Sequence, residues 1–546
     1  MHESGDLSGA VETLRGILSQ RPDHGYAHYL TGVWLAQAGR YAQGLPHLQR
    51  AGSLMGRDAD VQLALGNVYG ATGDRSAAEA CYRAAIALAP RASAGYHNLG
   101  LLLKAAGDHA EALPYLERAC DLPPHMEDAW RQRVMSLVAL ERYRDAIATA
   151  RTALEREPGS AVLWSCLGYA RQSDHDPRAA LECYEHALAL GAADHELWTR
   201  IAMVYQEQGR MEEAVAAYEK AIALKPDDVL ARFHLALARL SMRRYEHGWD
   251  EYDLRLVSAD TTVRIDAQRA WRGEPLAGRS IVVMQEQGLG DQIMFASCFG
   301  EIIQSASRCV ITCAPRLEAL FQRSFPGATV LAPAANSSVT VAGIDYQVAA
   351  GTLPRYLRKS AADFPQHRGY LHADPARVAY WKERLAALGP GLKVGISWRG
   401  GTHKTRAPLR TLPLSEWAPI FGTAGVRFVS LQYGDVDQDL SAPVDIAHWP
   451  EAIDDYDETA ALLCALDLVV SVCTAVIHLA GALGRPVWVM APLSPEWRYA
   501  IAGDKMDWYP SSRMFRQREF GDWPPVVASV ARELQAIADG HRARER

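Results

Sequence analysis

Long apolar runs are what this chain most plainly lacks. No stretch of its 546 residues approaches the roughly 20 apolar residues that a helix needs to cross a bilayer. The opening segment, MHESGDLSGAVETL, has no apolar core of a secretory leader. The nine cysteines include no CxxC pair, and the tightest spacing in the second half is Cys309 to Cys313. A zinc module and a disulfide scaffold are thereby excluded as organising devices, and a reducing compartment fits. Excess positive charge is missing as well. With 57 Lys and Arg against 64 Asp and Glu, the net charge is −7, the wrong sign for wrapping nucleic acid. The expectation is a cytoplasmic protein with no nucleic-acid and no membrane partner. Hydrophobic and charged contents of 49% and 22% are ordinary for globular protein, and the length suffices for several cores.

What the first half does contain is a period of 34. Gly32, Gly66, Gly100 and Gly168 stand in phase, with Val134, Ala202 and Ala236 in the remaining slots. A second small-residue column runs Gly44, Ala78, Ala112, Ala146, Ala180, Ala214, Gly248. A third runs Leu48, Tyr82, Leu116, Ala150, Tyr184, Tyr218, Tyr252. Pro90, Pro124, Pro158 and Pro226 close repeats at one phase. Small columns let paired helices approach, and the aromatic column is expected to fill the space between units. The segment 9–22 fits the second helix of a preceding unit.

Residues 257–279 lose this phase, and Gly273, Pro275 and Gly278 punctuate them. After them the pattern becomes alternating strands and helices, which means parallel sheets. Strands are expected at 280–284, 309–313 and 329–331. After Pro390 the pattern restarts, with strands at 393–398, 427–432, 466–472 and 487–490. A helix is expected over 292–305 and a final one near 525–538. Two Rossmann-like lobes result, and ligands of such sheets sit at the C-terminal strand ends. The expected organisation is helical repeats over 1–256, a linker over 257–279, and lobes over 280–389 and 390–546.

The run LDLVVSVCTAVIHLAGALGRPVWVMA, residues 466–491, reads as strand, tight turn, helix, strand. Thr474 stands where its hydroxyl can cap the helix, and Gly484 stops it. A helix N-terminus after a strand presents unpaired N–H groups and favours anions. His478, one turn on, shares a face with Thr474. In the first lobe, Gly288-Leu289-Gly290-Asp291 occupies the corresponding turn. Its glycines allow close backbone approach. Asp291 either takes a proton from a hydroxyl or caps the helix. The loop Trp398–Arg406, with Arg410, is basic and glycine-flexed. Arg399 and Lys404 there are candidates to clamp a phosphate leaving group. Glu286 either supports the cleft or lines it. Glu496, Trp497 and Arg498 follow a strand and are candidates to border a base, with a packed aromatic the favoured reading of Trp497. Asp455-Tyr456-Asp457 is read as helix capping rather than as a metal site.

The 34-residue pattern resembles the tetratricopeptide repeat, two antiparallel helices per unit. The motifs GLGDQIMF, VGISWRG, LDLVVSVCTAVIHLAGALG, EWRY and WYPSSRMFRQ resemble the heptosyltransferase-like group of GT-B glycosyltransferases over 280–534. Together they make the chain similar to bacterial fusions of the two, including flagellin-modifying ones. The resemblance implies a helical solenoid followed by a GT-B-like pair of Rossmann-type lobes. It implies an inverting, metal-independent transfer with no cofactor beyond a nucleotide-sugar. Asp291 is the implied base; Gly288, Gly290, Arg399, Lys404, Thr474 and His478 are the implied donor site. Family members carry Asp where this chain has Cys473. That departure counts against heptose and leaves open a donor bringing its own carboxylate, such as a nonulosonic acid.

Stacked repeats imply a groove for a protein acceptor, flagellin by the resemblance. Leu101, Met135, Tyr169, Met203 and Leu237, with Val33 and Asn67, occupy the ninth position of successive first helices. They either face that groove or pack between helices. A chain lacking residues 1–250 is expected to keep donor hydrolysis and lose transfer to protein. The alternative is a repeat scaffold with degenerate lobes, for which Cys473 is the supporting residue.

Overall fold

The computed structural model describes residues 7–257, 263–334, 341–401, 407–436, 439 and 445–545. By contacts the chain divides into two compact units, Met1–Leu197 and Trp198–Arg546. The dividing point falls inside the helix His195–Glu207, so the last helical hairpins belong with the α/β part.

The first unit is built from paired helices, beginning with Leu7–Gln20, Gly25–Gln37 and Tyr41–Met55. The reason for the small column is steric. A Cβ added at Gly66 would lie 2.5 Å from the Tyr82 ring, and one at Gly168 2.5 Å from the Tyr184 ring. At Gly32 and Gly100 the same place is taken by Leu48 and Leu116. The third column therefore lies on the glycine of its own repeat, a correction to its expected place between units. Overpacking at such a point costs about 1–3 kcal/mol. Another column shows only in the backbone. Gly39, Gly73, Gly107, Glu141, His175, Gly209 and Arg243 all have positive φ, between 59° and 87°. Each makes the tight turn between the two helices of a repeat, in the left-handed region that glycine enters without penalty.

The α/β part of the second unit contains two all-parallel sheets. The first holds β1 (Ser280–Met284), β2 (Arg308–Thr312), β3 (Thr329–Leu331) and β4 (Tyr346–Ala349), ordered β3-β2-β1-β4. The second holds β5 (Leu392–Ser397), β6 (Val426–Ser430), β7 (Ile446–Ala447), β8 (Leu468–Val472), β9 (Val487–Ala491) and β10 (Ser512–Arg516), ordered β10-β9-β8-β5-β6-β7. The strands are β-branched-rich and covered on both faces; β8 and β9 are buried throughout. In each sheet the order reverses beside the first strand, at β1/β4 and at β5/β8. Those reversals are the crevices where such sheets hold ligands.

The fold class is thus the expected one: tetratricopeptide helices followed by two Rossmann-like lobes. The expected strands lie within two residues of those observed. Three strands went unread: β4, β7 and β10. Each is short or, in β10, interrupted by arginines, so none shows a continuous apolar run. The helix expected over 292–305 is two helices, Leu289–Phe295 and Phe299–Ser305, joined by a 3-10 turn over Ala296–Cys298. The final helix runs Pro524–Glu545, longer than expected. No described helix is long and apolar enough to cross a membrane.

Candidate functional site

The turn after β1 and the turn after β8 meet. Each feeds a helix, Leu289–Phe295 and Ala475–Ala482, and a Cβ added at Gly290 would lie 3.0 Å from His478 Cδ2 and 3.5 Å from Ala475 Cα. The loop after β5 joins them: a Cβ at Gly400 would meet the Cys473 carbonyl oxygen at 2.5 Å. Three strand ends from the two reversal points thus converge, and glycine is required where backbones touch. Gly288, Gly290, Asp291, Thr474 and His478 are therefore brought together.

Asp291 is 8% exposed. Its Oδ2 accepts the Gly288 N–H at 3.3 Å, the local contact of a residue in the first helical turn. Arg498 Nη2 lies 2.8 Å from its Oδ1. The contact is an ion pair off the hydrogen-bond axis: among the described residues neither Oδ1 nor Arg498 Nε has an aligned partner. Burial pushes the Asp291 carboxyl above the usual carboxylate range, and Arg498 opposes that rise. The charges continue as a chain. Arg498 Nη1 is 3.4 Å from Glu496, and Arg410 Nη1 is 2.7 Å from the other Glu496 oxygen.

Thr474 holds the N-cap position, yet its side chain caps nothing; its hydroxyl lies 3.1 Å from Ser471 Oγ. The expected cap is corrected accordingly: the strand offers a nearer partner. Gly484 ends the helix region as expected, with φ 68°, and a Cβ there would fall 1.9 Å from the Arg368 carbonyl oxygen. His478 is 1% exposed, and both ring nitrogens are engaged, by Tyr509 Oη at 3.1 Å and Tyr499 Oη at 3.2 Å. Burial, then Arg498 and Arg410, holds its pKa well below the ordinary value, so the ring is neutral. It orients the turn through two tyrosines rather than offering a free nitrogen.

Cys473 is fully buried, and burial pushes its thiol up to about 12, so the position is neutral where relatives of the resembled group carry an acid. Arg410, Arg498 and Arg516 all act on it. Arg399 points elsewhere. Its guanidinium lies 3.0 Å from Asp439 and also reaches the Asp435 carbonyl. Lys404 lies outside the described residues. Among the described residues of the basic loop, Arg410 reaches the site. Its role with Glu496 and Arg498 had no local signal, because partners on two loops far apart in sequence leave no spacing to read.

Trp497 does not border an open base site. It is buried, with Trp249, Tyr252 and Phe295 at centroid distances of 5.4, 5.3 and 6.5 Å. Glu286 supports the structure: Arg255 engages both its oxygens, at 2.7 and 2.8 Å. Asp455 accepts the Asp457 N–H as a helix cap, and Asp457 is paired with Arg323 at 2.7 Å.

Of the ninth-position residues, Leu101, Met135 and Tyr169 are half-buried in the first unit and Met203 in the second. Leu237 packs against the α/β core, and so is taken up by packing. The first unit also carries polar contacts that the apolar list omitted. Asn98 donates to Asn67 at 2.9 Å, and His97 lies 2.8 Å from Asp128, which Gln132 and Arg131 also contact.

A repeat array followed by two Rossmann-like lobes defines a tetratricopeptide protein with an α/β second part. Models described as tetratricopeptide repeat match residues 3–54, 63–127, 103–167 and, as TPR repeat, 202–242. The chain is 31% identical over 497 residues to Protein FlbA of Caulobacter vibrioides, covering 86% of this chain and 82% of FlbA, and belongs to the same family. Among solved structures, it is similar to a tetratricopeptide repeat protein from Parabacteroides merdae, 15% identical, with 43% of this chain and 93% of that one covered and a TM-score of 0.37. PilF of Pseudomonas aeruginosa is 17% identical, with 40% and 99% covered and a TM-score of 0.34.

Proposed function

We propose that the chain is an inverting glycosyltransferase that moves a sugar from a nucleotide-sugar to Ser or Thr hydroxyls of a protein acceptor. The observation that carries this is the meeting of Asp291 with the helix N-terminus after β8, at the paired reversal points of two parallel sheets. Asp291 takes the acceptor proton as the hydroxyl attacks the anomeric carbon. A carboxyl whose burial raises its pKa is a stronger base when ionised. The leaving phosphate is stabilised by the N–H groups that follow Thr474 and by Arg410 and Arg498. Arg399 and Lys404 remain proposed phosphate contacts, Arg399 only after leaving Asp439. Gly290 rests against Ala475, so a bound sugar requires the two turns to part.

Cys473 puts a neutral side chain, beside Glu496, Arg410, Arg516 and Arg498, where the resembled group carries an acid. This suits a donor that carries its own carboxylate, such as a nonulosonic acid. In the first unit the face bearing Leu101, Met135 and Tyr169, with its polar neighbours, is the proposed docking surface for the acceptor, for which flagellin is the candidate. The boundaries at 256/257 and 389/390 remain those proposed from the sequence. The test is a nucleotide-sugar panel with mass spectrometry of candidate acceptors, flagellin included. A sugar on Ser or Thr, lost with Asp291→Asn, is expected; hydrolysis and transfer both absent across the panel overturns the reading.

The closed turns and the neutral Cys473 favour a second reading, a non-catalytic repeat scaffold. A nucleotide panel that shifts the melting temperature by nothing would select it.

A further inference from the structure

The last helical repeat does more than end the array. Its second helix, Tyr245–Tyr252, enters the core of the α/β part through Tyr245, Trp249 and Tyr252, and the turn Asp253–Val257 that follows buries Arg255. Trp249 is 1% exposed and donates its indole N–H to the Arg358 carbonyl at 2.7 Å. Arg255 is the polar centre of this insertion. It grips Glu286 through two N–H groups and donates to Thr352 Oγ1 at 3.1 Å, while the Gly351 N–H donates to Glu286 at 2.6 Å. Glu286 follows β1 and Gly351 follows β4, so one guanidinium spans the reversal point of the first lobe. The ring of Tyr252 lies 4.3 Å beneath that guanidinium.

Backbone strain falls on the same segments. Outside the repeat turns, two non-glycine residues among those described have positive φ: Gln287 at 61° and Ala500 at 50°. Such conformations persist where the surroundings over-determine them. Gln287 is four residues before Asp291, and its amide donates to Tyr252 Oη at 3.2 Å. Ala500 is two residues after Arg498, and the next N–H, of Ile501, donates to the Ser241 carbonyl at 3.0 Å. Trp497, next to Arg498, is wedged on Trp249 and Tyr252. Both strained segments are therefore held from the repeat.

We infer that Arg255 and Tyr252 of the last repeat are positioning residues that hold the turn of Asp291 against Arg498. The inference rests on the proposed role of Asp291, but its geometry can be tested without any donor. Residue 291 is faced by Arg498 and Glu496 from the loop after β9, by Glu286 from its own turn, by Tyr252 from the last repeat and by Tyr509 from the segment before β10. Arg255 neutralises Glu286, so its loss adds negative charge beside residue 291.

The experiment uses the full chain carrying Asp291→Cys. Iodoacetamide labelling of residue 291 is read by peptide mass spectrometry across pH, with and without Arg255→Met or Arg255→Lys. The expected result is a thiol pKa about one unit higher with Arg255→Met, a tenfold lower thiolate fraction near neutrality, and recovery to within about threefold with Arg255→Lys. Tyr252→Phe, which removes one hydroxyl, supplies a second arm. Hydrogen exchange over 286–292 is expected to quicken about tenfold, with the amides of 1–197 unchanged. An unchanged thiol pKa with Arg255→Met, or loosening spread evenly over the chain, overturns the inference. Neither arm requires sugar transfer, so a failed transferase assay leaves this test intact.

Discussion

The two lobes are built on one plan and furnished differently. In both, the first strand is flanked by the second and fourth, and a helix leaves the strand end at the reversal point. The first lobe places a buried acid there, Asp291. The second places the neutral pair Cys473 and Thr474, with Glu496, Arg410, Arg498 and Arg516 acting on Cys473. On the proposed reading, one fold yields a proton acceptor on one side and an anion-binding turn on the other. The difference comes from side chains on loops, while the sheets supply only the place.

Five substitutions break or sharpen this contrast. The largest effect is expected from Asp291→Asn, which removes the acid and keeps the shape. Transfer falls about 100- to 10,000-fold while nucleotide affinity changes little; near-normal transfer would remove Asp291 from its role. Gly400→Ala attacks the meeting of the loops. Its Cβ would collide with backbone at 2.5 Å, so a loss of about 1–3 kcal/mol in urea unfolding is expected. Arg410→Met leaves Glu496 paired with Arg498 alone and should weaken nucleoside diphosphate binding about tenfold by calorimetry. Cys473→Asp makes the second lobe acidic like the first. A donor bearing a carboxylate should then bind about threefold to tenfold more weakly, while a neutral-sugar donor does not.

The last is a pH slope. His478 is neutral in the fold because burial and two arginines depress its pKa, whereas the unfolded side chain titrates at about 6.5. Above 6.5 its contribution is intact. As pH falls below that value the unfolded chain binds a proton that the fold refuses. Stability is then lost by up to about 1.4 kcal/mol per pH unit until the folded pKa is reached. His478→Gln should remove that component from denaturation curves measured between pH 7 and 5.

The structure also corrects one truncation. Deleting residues 1–250 would remove Tyr245 and Trp249, which are buried in the α/β core, and with them the hydrolysis expected to survive. A cut near Trp198 follows the compact unit. The period of 34 continues into Tyr252, and the drift of the last unit, RRYEHGWDEYDLRL, from the pattern reads as a capping repeat rather than as membership of another core. That membership depends on what Trp249 touches.

Much of the plan was legible because its signals are local. A 34-residue period, buried β-branched strands and glycines at strand ends each follow from neighbours along the chain, which set dihedral preference and burial pattern. They determined the fold class and brought Gly288, Asp291 and Thr474 forward as a set. Tertiary packing alone decided that Arg498 faces Asp291, that Arg410 reaches Glu496 while Arg399 turns to Asp439, and that tyrosines occupy both nitrogens of His478. Those pairs join loops distant in sequence. Their energies depend on burial and distance, which exist only once the sheets have brought the loops together.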